Sequence, residues 1–125
     1  MTVGTGARSR VLLVEDEAMI AMLMEDMLSE LECDVVATVG ELQEALTIAG
    51  TGAFDLAFLD VNLRGSPVYP VAAALRARGI PFAFVTGYGT SGVDPAHPDA
   101  PVLQKPFQGR DLEAVLARLR PGQPR

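Results

Sequence analysis

The chain's 125 residues carry ten Lys and Arg against sixteen Asp and Glu, a net charge of −6, and this acidity argues against direct binding to nucleic-acid phosphates. Hydrophobic residues (49%) and charged residues (21%) stand in the proportions of a folded domain. No apolar run approaches the roughly 20 residues a membrane span needs, and residues 1–9 lack the apolar stretch of a secretory signal.

Cys33 is the only cysteine, so an internal disulfide is impossible and a reducing, cytoplasmic setting is the expectation. Residues 10–120 are predicted to form one domain, with flexible tails at 1–9 and 121–125. The chain ends soon after its last predicted helix, so no output domain is expected.

Five apolar runs are predicted strands: Val11–Val14, Val35–Val39, Leu56–Leu59, Phe82–Val85 and Val102–Leu103. Continuous hydrophobicity marks strands covered on both faces, as in a parallel sheet between helices. After the first run, Ile20, Leu23, Met24, Met27, Leu28 and Leu31 recur at helical spacing and predict an inward stripe. Met19, Met22, Met24 and Met27 are read as helix packing, and Cys33 as a small buried hydrophobe. Leu42, Ala45, Leu46 and Ala49 predict a second helix ended by Gly50 and Gly52. A third starts near Pro70 and stops at Gly79, and Leu112, Val115, Leu116 and Leu119 predict the last. Residues 86–101 hold Gly87, Gly89, Gly92, Pro95 and Pro98, so a short or mobile fourth helix is expected there. His97, in that stretch, is read as a surface residue. The fold expected from this alternation is α/β, a single doubly wound five-stranded parallel sheet of flavodoxin-like order 2-1-3-4-5.

Such sheets place function at the carboxyl ends of their strands. Here those ends carry Glu15-Asp16, Asp60, Thr86 and Gln104-Lys105-Pro106. Strands 1 and 3 are neighbours in the expected order, so three carboxylates should meet and repel unless a cation joins them. Oxygen ligands with room for phosphate favour Mg²⁺. A neutralised Asp60 can accept a phosphoryl group covalently, with the Lys105 ammonium and the Thr86 hydroxyl offsetting charge on the phosphoryl oxygens. Arg64 could steer a phosphodonor, but an ordinary solvated arginine is the plainer reading.

The segments Val11-Leu12-Leu13-Val14-Glu15-Asp16-Glu17, Phe58-Leu59-Asp60, Val85-Thr86-Gly87 and Lys105-Pro106-Phe107 together resemble the signature of response regulator receiver domains. The resemblance spans residues 10–120. It implies a phosphoacceptor at Asp60 and metal held by Glu15, Asp16, Asp60 and the Asn62 backbone carbonyl. It also implies read-out of the phosphorylated state by Thr86 and Lys105, and a cis bond between Lys105 and Pro106. The stretch Pro81–Gly89 is similar to the Phe-Ala-Thr-Gly-Tyr group of single-domain receivers found largely in alphaproteobacteria, with Val85 in place of its alanine. Receivers usually carry an aromatic switch three residues before the lysine. Val102 occupies that position, and Tyr88 is the expected substitute, beside switch or docking positions Gly87, Pro106 and Phe107.

Partners implied are a histidine kinase or histidine phosphotransfer protein and a downstream protein, with no nucleic acid or membrane and a monomer or weak dimer. The chain would be a signalling phosphoacceptor rather than an enzyme in the ordinary sense, and would signal by protein contact or act as a phosphate sink. Two other readings compete: an aspartate-dependent phosphohydrolase of the haloacid-dehalogenase type, and a pseudo-receiver that binds partners without phosphorylation. The first expects a second acid where this chain has Asn62; the second leaves the acidic set without a purpose.

Overall fold

A computed structural model describes residues 8–87 and 97–120. The elements are β1 (Ser9–Val14), α1 (Ala18–Glu30), β2 (Cys33–Val39), α2 (Leu42–Thr51), β3 (Leu56–Asp60), β4 (Asn62–Leu63), β5 (Ser66–Pro67), α3 (Tyr69–Ala77), β6 (Phe82–Thr86), β7 (Val102–Gln104) and α4 (Gly109–Leu119). Five strands form a parallel sheet in the order β2-β1-β3-β6-β7, the flavodoxin-like order expected. The expected fourth helix falls largely in 88–96, outside the described residues, as does Tyr88.

Strand alternation sorts the core into two layers. Leu12, Val14, Ala57, Leu59, Phe82 and Phe84 join Ala45 and Ala49 of α2 and Val71, Ala72 and Leu75 of α3. Val11, Leu13, Leu56, Phe58, Ala83 and Val85 join Met24 and Leu28 of α1 and the four-residue stripe of α4. Both faces of the central strands are therefore dry, and that is why their sequence reads as unbroken hydrophobicity. Phe58 and Phe84 are fully buried in opposite layers, and each such side chain contributes about 2–3 kcal/mol.

The edge strand β2 departs from the expectation of burial on both faces. Its residues alternate, Val36 is 47% exposed, and the register to β1 slips between Val11 and Leu12. A bulge there lets Val35 serve one layer and Ala37 the other. In α1, five of the six expected stripe residues pack, Ile20, Met24, Met27, Leu28 and Leu31, and Leu23 is exposed; Met19 and Met22, read as helix packing, are exposed as well. Of the expected tail at 1–9, only Arg8 and Ser9 are among the described residues. Ser9 opens β1, and Arg8 pairs with Asp34 at 2.7 Å.

The helix ends follow local chemistry. Gly50 lies inside the last turn of α2, and Gly52 alone caps it. Pro70 sits in the first turn of α3, and Gly79 leaves that helix at φ +73°. Gln108 and Asp111 form a reciprocal capping box at the start of α4. Cys33 is buried as expected, and burial pushes its thiol up despite the nearby Arg120 guanidinium.

His97 corrects the surface reading. It is 6% exposed, with its ring edge-on to Phe82 at 5.4 Å, and Nδ1 accepts a 2.9 Å hydrogen bond from Arg76 Nε. Arg76 also pairs with Asp99 and lies over the Phe82 ring, so α3 is tied to the chain entering β7. A polar residue between prolines and glycines gave no periodicity from which to read this burial. His97→Ala should cost about 2 kcal/mol, through a cavity beside Phe82 and Phe84 and the lost Arg76 bond. Urea melts should show a lower midpoint at unchanged slope. His97→Phe should recover the packing part alone.

Candidate functional site

The carboxyl ends of β1, β3, β6 and β7 meet at one edge. Adjacent parallel registers pair Val14 with Leu59 and Asp60 with Val85, which brings the residues that follow β1 level with the end of β3. Lys105 N–H donates to the Thr86 carbonyl at 2.8 Å and locks the β7 terminus beside β6. The Lys105–Pro106 bond is cis, as the resemblance implies.

Carboxylate oxygens of Glu15, Asp16 and Asp60 all lie within 4.8 Å of one another. Glu15 and Asp60 are buried, at 3% and 7% exposure. Glu15 Oε2 accepts the Glu17 N–H at 3.1 Å, but Oε1 is fully buried with no hydrogen-bond donor. Lys105 Nζ stands 3.4 Å from that oxygen, an ionic contact outside hydrogen-bond geometry. It is also 3.4 Å from Glu17 Oε1 and 3.7 Å from Asp60 Oδ2. One ammonium thus faces several carboxylates and cannot neutralise them all.

The electrostatics follow. Burial, then the Glu15 charge, raises Asp60 to about 7, against the opposing pull of Lys105 and the Asn62 N–H. Burial would lower Lys105, but the Asp60 and Glu15 charges outweigh it and raise the ammonium above its ordinary value. A buried carboxylate oxygen without a donor, between two further acids, suits a hard divalent cation. Glu15, Asp16 and Asp60 are the carboxylates that would hold such a cation.

Thr86 is buried at the end of β6 and Gly87 follows it, exposed. Val102 is partly buried against the α2–α3 layer, Phe107 against the α1–α4 layer, and Pro106 is exposed. Asp16, Glu17, Asp60, Asn62, Arg64, Gly65, Gly87 and Lys105 line an open cleft of about 390 Å³.

Three contributors escaped the sequence reading. Glu17 shares Lys105. Gly40 leaves room under the acids: a Cβ there would lie 3.1 Å from Asp16 Cα. Asn62–Pro67 forms a tight antiparallel hairpin whose turn, Arg64-Gly65, has both residues at positive φ (52° and 88°). Arg64 N–H donates to Asp16 Oδ2 at 3.0 Å and Gly65 N–H to Asn62 Oδ1 at 2.8 Å. Only the glycine hinted at that turn, because arginine is not a residue the type favours.

A five-stranded flavodoxin-like sheet with an acidic cleft, a lysine and a buried threonine at its strand ends defines a doubly wound α/β domain with its site at the strand ends. The response regulator receiver domain family matches residues 11–117, and the chain belongs to that family, a component of two-component systems. The solution structure of SdrG from Sphingomonas melonis Fr1 is 47% identical, with TM-score 0.81, over 90% of this chain and 96% of that one. The receiver domain of the sensor histidine kinase PA1611 from Pseudomonas aeruginosa PAO1, solved with a magnesium ion in its active-site cleft, is 26% identical with TM-score 0.77. That match covers 90% of this chain and 98% of that one. The transcriptional regulatory protein TcrA of Mycobacterium tuberculosis is 34% identical over 118 residues, 89% of this chain and 44% of TcrA. The corresponding match to PdtaR of the same species is 31%, over 58% of PdtaR, so the chain spans about half the length of these curated relatives. No helix among the described residues is long and apolar enough to cross a membrane.

Proposed function

We propose that Asp60 is the phosphoacceptor of a phosphorelay receiver and takes its phosphoryl group from a histidine kinase or histidine phosphotransfer protein. The carrying observation is the donorless Glu15 Oε1 buried beside Asp60 and Lys105, a site short of positive charge. Mg²⁺ bound there would supply charge that keeps Asp60 ionised and offsets charge on the phosphoryl oxygens. An Asp60 carboxylate oxygen attacks phosphorus, the new O–P bond forms, and the P–N bond of the phosphohistidine breaks with its electron pair leaving on imidazole. Lys105 neutralises charge at the Asp60 side, and the Thr86 hydroxyl serves the phosphoryl oxygens. The added charge then biases the domain between two conformations.

In this reading the chain is a stand-alone cytoplasmic receiver of the Phe-Ala-Thr-Gly-Tyr group. It acts by protein contact through the β6–β7–α4 face or as a phosphate sink, and Tyr88 substitutes for the aromatic that Val102 replaces. The phosphohydrolase alternative gains no support, since Asn62 stands where a second acid is needed and its side-chain oxygen is engaged by Gly65.

The test is intact mass after incubation with Mg²⁺ and acetyl phosphate. The expected result is a gain of one phosphate, lost with EDTA and absent in Asp60→Asn. A native protein that gains nothing here, and fails to bind Mg²⁺ or beryllofluoride, overturns the phosphoacceptor reading.

A further inference from the structure

The cleft has a second cation, placed differently from Lys105. Arg64 is exposed at the tip of the Asn62–Pro67 hairpin and lines the same cleft as Asp60. Among the described residues its guanidinium makes no hydrogen bond or ion pair, although Asp16 and Glu17 line the same opening. Lys105 faces inward and is shared among Glu15, Glu17 and Asp60. Arg64 therefore retains its full donor fork for a ligand.

Its backbone is costly. A non-glycine at φ +52° carries about 1 kcal/mol of strain, and asparagine or glycine would adopt that turn more easily. The strain is held in place by the Arg64 N–H on Asp16 Oδ2, which fixes the hairpin tip to the acidic cluster. An arginine where asparagine or glycine would make the turn more easily, with its backbone N–H bonded to Asp16 and its guanidinium unengaged among the described residues, fits a role in ligand binding. The ligand chemistry follows from the cleft. A phosphodonor approaches with about two negative charges toward several carboxylates on a chain of net charge −6, and a guanidinium fork matches phosphoryl oxygens.

We propose that Arg64 binds the phosphoryl dianion of the incoming donor at the cleft mouth and so sets donor affinity. The proposal rests on the phosphoacceptor reading of Asp60. Its effect belongs to binding, because the charge at the reacting carboxylate is set by Lys105 and the metal site rather than by the rim.

The experiment follows Asp60 phosphorylation by intact mass across a range of acetyl phosphate concentrations, with saturating Mg²⁺, for native protein, Arg64→Asn and Arg64→Lys. Asparagine suits the left-handed turn, so a loss in that variant is not a loss of folding. Arg64→Asn should raise the KM for acetyl phosphate about fivefold to tenfold and leave the maximal rate within about twofold. Arg64→Lys should recover part of the loss, and high salt should shrink the native-to-asparagine ratio. An unchanged KM in Arg64→Asn, whatever its maximal rate, overturns the proposal and leaves the Asp60 reading standing. No phosphate gain in the native protein overturns both.

Discussion

Replacing Lys105 with Met should slow phosphorylation of Asp60 by acetyl phosphate about 10²- to 10³-fold, the range seen when one preorganised charge or donor at a reacting oxygen is lost. The geometry explains why the effect is so large. Lys105 Nζ stands within 3.7 Å of Asp60, and within 3.4 Å of both Glu15 and Glu17, with four-fifths of its side chain out of water. Methionine keeps the length and apolar stem but removes the ammonium, so the packing of the strand end is preserved. Glu15 Oε1, already without a donor, would then lose its nearest positive charge as well. A buried charge stripped of its partner is costly, and at this partly open site about 2 kcal/mol of stability should go with the rate.

The sign of the Lys105 contribution is checkable in alkaline solution. Its ammonium is raised above the ordinary value by Asp60 and Glu15 against the opposing effect of burial. A raised lysine contributes stability that is fully present below its unfolded value, near 10.4, and is lost as pH climbs through the folded one. Thermal melts of native protein and Lys105→Met should therefore converge only at strongly alkaline pH. A rate within about threefold of native in Lys105→Met would remove Lys105 from the phosphotransfer step.

The legible parts of this chain were those whose physics is local or repeated. Val11–Val14, Leu56–Leu59 and Phe82–Val85 read as doubly covered strands because both layers of the core draw on each of them. The strand-end residues Glu15, Asp16, Asp60 and Lys105 were legible together because sheet order converts separate sequence positions into neighbours. Where the outcome depended on a partner distant in sequence, the reading failed. His97 is buried because Arg76 on α3 and the Phe82 ring receive it, and no pattern around residue 97 encodes that. Met19, Met22 and Leu23 have helical spacing but lie beyond the width of the layer that covers α1. The Arg64-Gly65 turn was hidden because its positive φ angles are sustained by Asp16 and Asn62, bonds that the turn residues do not announce. Gly40 matters through a close approach to Asp16, a purely spatial fact.

The metal-free protein should lose stability as pH rises from about 4 to about 7, and Mg²⁺ should restore it. Asp60 is raised to about 7 by burial and by Glu15. A carboxyl raised above its unfolded value, near 3.9, contributes stability fully present below that value and lost as pH climbs through the folded one. The full linkage for such a group approaches 4 kcal/mol, and water at the open cleft mouth reduces it to about 2. In EDTA, Asp60→Asn should therefore be more stable than native protein above pH 7, by roughly 4–8 °C in Tm, and nearly equal to it at about pH 4. Added Mg²⁺ should raise the native Tm near pH 8 and have little effect near pH 4, where the cation must displace protons. In Asp60→Asn the Mg²⁺ effect should be much smaller, since one carboxylate of the cluster is gone. Parallel pH profiles for the two proteins in EDTA would mean that Asp60 titrates alike in folded and unfolded chains. The crowding of Glu15, Asp16 and Asp60 within 4.8 Å would then be relieved by something other than protonation or metal.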